Sequence, residues 1–151
     1  MSRPAAAASQ ADPRVAAIVQ FFENLSPADL GRMDRVYTPD ARFKDPFNAV
    51  QGPAAIAAVF EHMFKSLDRP RFVVLDVVHQ DERLFLSWDF VFARRRWRPG
   101  EQRIHGASLL QLAADGRISE HRDYWDAAEE LYEKLPLLGS LMRWLKRRAV
   151  A

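Results

Sequence analysis

Three aspartates stand among large apolar residues. Asp45 lies between Phe43 and Phe47, next to Pro46. Asp89 sits inside the run Leu84-Phe85-Leu86-Ser87-Trp88-Asp89-Phe90-Val91-Phe92, and Asp123 inside His121-Arg122-Asp123-Tyr124-Trp125. An unpaired carboxylate taken out of water is strongly penalised, so each must pair, take up a proton or face a solvated cavity. Strand alternation puts Ser87 with Asp89 on one face, and His121, Asp123 and Trp125 on one face. If both faces line the same pocket, two carboxylates and a histidine meet in it, and proton transfer is the chemistry such a group favours. Plainer readings stand beside this one. Asp45 before a proline is also a turn former, Asp89 can pair with Arg103 of the neighbouring strand on the opposite face, and His121 can be a hydrogen-bonded structural residue.

Several other chemistries have no residues to carry them. There are no cysteines, which removes disulfides, thiolate metal sites and a cysteine nucleophile. Histidines and acids never fall at a metal-ligand spacing such as HExxH, so no metal is expected. No glycine-rich phosphate loop or GxSxG elbow occurs either, so no nucleotide cofactor and no serine hydrolase is expected. Basic and acidic residues nearly balance, 22 against 20, for a net charge of +2. Arg94-Arg95-Arg96 and Arg98 precede a hairpin turn and read as a solvated tip. With only Trp97 interleaved, no nucleic acid partner is expected.

The elements that must position these residues come in two blocks. Residues 1–12 carry no apolar stretch of signal-peptide length and read as a disordered leader of a cytoplasmic protein. Asp12-Pro13 can cap a first helix, with Val15, Ile18, Val19, Phe22 and Leu25 at helical spacing. Ser26-Pro27 starts a second helix with Leu30, Met33, Val36 and Tyr37 on its inner stripe, broken at Thr38-Pro39-Asp40. Ala41–Asp45 is a short strand, and Gly52-Pro53 opens a third helix with Ile56, Val59, Phe60, Met63 and Phe64 inward. After Pro70 the period changes to two. Arg71–His79, Leu84–Arg94, Gln102–Leu112 and Arg117–Trp125 form an antiparallel meander, with hairpin turns at Pro99-Gly100 and Asp115-Gly116.

Three helices followed by a meander is an α+β layout, with helices across the open side of a curved antiparallel sheet. The 151 residues make one such domain, spanning 13–130. Residues 131–151 form a C-terminal helical extension, with Leu141, Met142, Trp144 and Leu145 followed by Lys146-Arg147-Arg148. The basic end either complements the helix dipole or, over 139–148, contacts an anionic membrane surface or a partner's groove. Trp88, Phe90 and Phe92 are not all expected to point inward, so the convex sheet face is the expected homodimer contact.

The stretch from Val15 through Asp45-Pro46 and Gly52-Pro53-Ala54-Ala55-Ile56, then Gly106 to Trp125-Asp126, resembles the NTF2-like superfamily. That group includes ketosteroid isomerase, limonene-1,2-epoxide hydrolase and the SnoaL-like polyketide cyclases. The resemblance implies a conical α+β barrel capped by helices, with a pocket for a lipophilic small molecule. Asp45 matches the isomerase's general base, while its oxyanion-hole Tyr and Asp appear as Phe21 and Ser108. Asp89 and Asp123 match the epoxide hydrolase's two acids. Ser87 replaces the Arg between them, and Phe43 and Asp45 replace the Tyr and Asn that hold its water. The cyclases ask only for an acid/base Asp on the last strand with polar neighbours, which Asp123 and His121 supply.

The resemblance and the residues together imply a cofactor-independent isomerase, cyclase or hydratase. Asp45 or Asp123 would be the base and Asp89 the acid. Ser87, Ser108 and His121 would orient the substrate, and Phe21, Phe43, Phe64 and Trp125 would wall the pocket. The alternative is a non-catalytic carrier of an apolar ligand, docked to a membrane or partner through its C-terminal helix.

Overall fold

The computed structural model describes residues 12–93 and 100–127, together with Leu141, Trp144, Leu145, Arg147 and Arg148. Expectations that fall on residues 1–11, on the arginine tip at 94–99 or on the rest of the tail lie outside the described residues. Helix α1 runs Pro13–Glu23, followed by a 3-10 helix Pro27–Arg35. Then come strands β1 Tyr37–Lys44 and β2 Ala49–Gln51, helix α2 Pro53–Ser66, and strands β3 Asp68–Gln80, β4 Arg83–Ala93, β5 Glu101–Leu112 and β6 Ile118–Tyr124.

The starts of the helices follow their sequences. Asp12 caps α1, its side chain accepting from Arg14 N at 2.9 Å with Pro13 in the first turn. Gly52 supplies the φ of 88° that turns the chain from β2 into α2. The second helix is tighter than its spacing predicts. It is 3-10 rather than α, and it breaks at Arg32 (φ −128°, ψ 22°). Tyr37 therefore leaves the helix and opens β1, and Thr38-Pro39-Asp40 continue that strand instead of breaking the chain.

The six strands form one open curved sheet in the order β2-β1-β6-β5-β4-β3. All neighbours are antiparallel except β1 and β6, which are parallel. The sheet is thus the expected curved, helix-covered α+β sheet, with one parallel pair in it and without closure. The parallel pair arises because the short β1–β2 hairpin, not the meander alone, completes the sheet. Bulges between Asp68 and Arg71, between Val74 and Asp76, and between Gln111 and Leu112 break the register where the sheet bends.

Alternation along β4 sets the two faces. Leu84, Leu86, Trp88, Phe90 and Phe92 all turn to the helix-covered side, where they join Val15, Ile18, Phe22, Met33, Ile56 and Phe60 in the core. The expectation that Trp88, Phe90 and Phe92 could not all point inward is corrected: they share one parity, and the helices are broad enough to cover them. Gly106 makes this possible, since a Cβ there would lie 2.8 Å from Trp88 Cζ2 and Cζ3. The indole lies across the bare backbone of β5. The outer face carries Val73, Phe85 and Leu109, each more than a third exposed.

Candidate functional site

Asp123 is the one predicted acid that the fold places on the helix-covered inner face of the sheet, Asp89 being buried on the other face. It lies on the inner face of β6, in register with Ser108 of β5, and His121 lies two residues earlier on the same face. Ser108 Oγ donates to Asp123 Oδ1 at 2.5 Å, and His121 Nε2 lies 2.6 Å from the same oxygen. Trp88 Nε1 donates to Ser108 Oγ at 2.8 Å. At the other end, Tyr37 Oη lies 2.7 Å from His121 Nδ1. Five side chains from four strands therefore form one chain of hydrogen bonds, Trp88–Ser108–Asp123–His121–Tyr37.

A buried polar chain of this kind is stable only if every member is satisfied. Oδ1 of Asp123 takes both donors, while Oδ2 takes none from the described residues. His121 and Ser108 are buried, and the Asp123 side chain keeps 15% of its surface. The imidazole is caged by aromatic rings. Phe43 lies at 4.7 Å, Phe22 at 5.5 Å, and the Tyr37 ring stacks on it at 6.0 Å. Burial, and after it the charge on Asp123, push the Tyr37 hydroxyl well above the usual phenol range.

Asp123 borders two spaces. Inward is a cavity walled by Phe22, Phe60, Phe72, Val74, Leu86 and Trp88, with Ser108 and His121 at its polar end. It measures only about 20 Å³, room for about one water. Outward is an open groove of about 540 Å³ whose lining includes Lys44, Asp45, Pro46, Tyr124, Trp125 and Asp126.

The other predicted residues fall elsewhere. Asp89 is on the outer face, where Arg103 donates to it at 2.7 Å and His105 Nδ1 lies at 3.0 Å. His105 first, with Arg103 behind it, holds the Asp89 carboxyl below its usual range against the effect of burial. The expectation that Asp89 and Asp123 share a pocket is corrected, because the pleat of β4 turns Asp89 away with Ser87. Ser87 donates to Asp76 Oδ2 at 2.9 Å, in the β3 bulge. Asp45 sits at the groove's edge with both oxygens used in the β1–β2 turn. Phe47 N and Asn48 N donate to Oδ1 at 2.7 and 2.6 Å, and Asn48 Nδ2 reaches both oxygens. It acts as the turn former.

Phe43, expected to wall the pocket, is buried edge-on against His121 and lines neither the cavity nor the groove. Two of the other predicted wall residues are displaced by a helical step. Phe22, not Phe21, faces the cavity, and Phe21 packs edge-on against it at 5.2 Å. Phe60 likewise takes the place expected for Phe64, one turn along α2. Trp125 lines the outer groove, edge-on to Phe47 at 5.5 Å. Tyr37 was missed because helical spacing placed it on the second helix. The β-branched and alternating residues that follow it (Thr38, Ala41, Phe43) were the available signal that it begins a strand. Among the described residues, no group of three or more His, Cys, Asp or Glu could hold a metal ion, and no helix is long and apolar enough to cross a membrane.

Solved structures share this architecture. A protein of ketosteroid isomerase-like fold from Catenulispora acidiphila DSM 44928, determined with trimethylamine, has a TM-score of 0.66 at 14% identity, over 79% of this chain and 89% of that one. A protein assigned as a SnoaL-like polyketide cyclase from Jannaschia sp. CCS1 has a TM-score of 0.64 at 20% identity, over 77% and 87%. An LEH-like epoxide hydrolase of M. tuberculosis has a TM-score of 0.62 at 16% identity, over 88% and 93%. At these identities the likeness is one of fold. No curated protein matches the sequence significantly. The model of the SnoaL-like domain, in contrast, matches residues 18–121, most of the described core. The chain belongs to the SnoaL-like domain family.

Proposed function

We propose that this protein binds a lipophilic small molecule beside Asp123 and moves a proton on it without a cofactor, as an isomerase, cyclase or hydratase. The observation that carries this is the state of the Asp123 carboxylate. One oxygen is pinned by Ser108 and His121, and the other takes no donor from the described residues, at the border of an apolar cavity and an open groove. A fixed base with one oxygen free, placed beside a substrate's C–H or O–H, is the arrangement general base catalysis requires. Trp125, Pro46 and Tyr124 offer apolar surface in the groove, and the inner cavity holds about one water.

Known relatives of this fold support a small-molecule ligand, trimethylamine in one of them, and the family includes enzymes assigned as cyclases and hydrolases. The test is solvent-deuterium exchange into a panel of lipophilic ketones and phenols, followed by mass spectrometry. Wild type should exchange at least one of them, and Asp123→Asn should slow that exchange by roughly 10²–10⁴-fold. Exchange at the wild-type rate in Asp123→Asn overturns the assignment. Tight binding without exchange in either protein identifies a carrier instead.

The protein is further proposed to work as a homodimer joined through its outer sheet face. Val73, Leu75, Val78, Phe85, Leu109 and Tyr124 leave that face apolar over several strands.

A further inference from the structure

Tyr37 takes no part in the proton transfer described above, yet it is the most deeply buried polar side chain next to it. It has no exposed surface, and among the described residues its hydrogen-bond partner is His121 Nδ1. Proton bookkeeping along the chain is restrictive. A carboxylate only accepts, so the hydrogen between His121 and Asp123 belongs to His121 Nε2. If Nδ1 also carried a hydrogen, the Tyr37 O–H would be left buried without an acceptor, a penalty of the kind folded proteins avoid. If Nδ1 is bare, the Tyr37 O–H donates to it and every group is satisfied. Phe22 and Phe43 pack edge-on against the ring, and His121 is buried.

We propose that Tyr37 is a positioning residue: by donating to His121 Nδ1 it keeps the imidazole neutral with its single proton on Nε2, aimed at Asp123 Oδ1. This rests on the reading of Asp123 as the base and adds to it. A neutral donor leaves the carboxylate its charge, so the proton taken from substrate goes to Asp123 Oδ2. An imidazolium in the same place would cancel that charge. Among the described residues, the titratable groups facing His121 are Tyr37 from β1 and Asp123 from its own strand. β5 presents Leu110 and Ser108, α1 presents Phe22 and α2 presents Phe60.

The experiment is nitrogen NMR of full-length protein labelled with ¹⁵N-histidine, with His121 assigned by its absence in His121→Asn. Wild type should show one bare and one protonated ring nitrogen. Tyr37→Phe, which keeps the ring but removes the donor, should move the Nδ1 signal to that of a bare nitrogen without a hydrogen bond. An imidazolium in the wild type, or a Tyr37→Phe Nδ1 signal identical to wild type, overturns the proposal. Should Tyr37→Phe fail to fold, wild-type protein grown on 3-fluorotyrosine replaces it. Its more acidic phenol should move the Nδ1 signal, and an unmoved signal overturns the proposal. None of these measurements uses a substrate. Failure of the Tyr37 assignment therefore shows in the spectra, and failure of the proton-transfer reading shows in the exchange rates of Asp123→Asn.

Discussion

His121 Nε2 lies 2.6 Å from Asp123 Oδ1, and the two residues are neighbours on the inner face of a single strand. Because they sit two positions apart, the pleat alone aligns them. What the rest of the fold adds is isolation: rings above and below the imidazole, and Ser108 on the far side of the carboxylate.

The close approach of Trp88 to Gly106 gives a stability test. Gly106→Ala puts a methyl into the indole, forcing it off Ser108. A loss of about 1–3 kcal/mol is expected, read as a lower midpoint in urea together with a changed near-ultraviolet tryptophan signal. A variant as stable as wild type would mean that the indole has room to shift.

Asp89 and Asp123 should separate cleanly on mutation. Asp89→Asn removes a carboxylate from between Arg103 and His105 on the outer face. Both partners are largely exposed, so solvent screening limits the cost to about 1 kcal/mol. Ligand binding and any exchange activity should persist, and their loss would return Asp89 to the site.

The cap of α1 should be felt in acid. Arg14, through its side chain and then its backbone N–H, holds the Asp12 carboxyl down from 3.8 to about 2. A depressed folded-state value means the contribution is complete above 3.8 and disappears as pH falls through about 2. Thermal melts of Asp12→Ala should therefore lie below wild type at neutral pH and converge with it in that acid window. A constant gap would assign the difference to something other than the charge.

The outer face predicts the assembly. Phe85 stands opposite both Val78 of β3 and Leu109 of β5 in the sheet register, so a charge there falls in the middle of the apolar patch. Phe85→Lys should sediment as a monomer under conditions where wild type sediments as a dimer. A monomeric wild type would refute the dimer.

The pieces legible in the sequence were those governed by local periodicity. α1 and α2 began at Pro13 and Pro53, and the meander strands came within a few residues of their observed ends, because caps, turns and alternation are written in neighbouring residues. Alternation likewise put Asp123 and His121 on one face, whereas Ser108 came only from the resemblance. Asp89 was ambiguous because alternation shows that Ser87 and Asp89 share a face but not which face the helices cover. The apolar residues on both sides of it fitted either answer until Trp88 met Gly106. Phe22 and Phe60 were displaced by Phe21 and Phe64 because an amphipathic stripe is wider than one residue, and only packing against β3 and β4 selects which ring enters the cavity. Tyr37 was lost to a boundary, as a 3-10 turn and a strand entry look alike when Pro39 follows.

The parallel pairing of β1 with β6 has a kinetic side. Tyr37 and His121 stand 84 positions apart, and no hairpin links their strands, so their contact closes most of the chain into a loop. Such long-range closure carries an entropic cost that is recovered only after the intervening meander has formed. The hydrogen bond that orders the site should thus be among the last to appear during refolding. An imidazole signal at His121 would then report the completed fold, well after helix content and collapse have reached their native values.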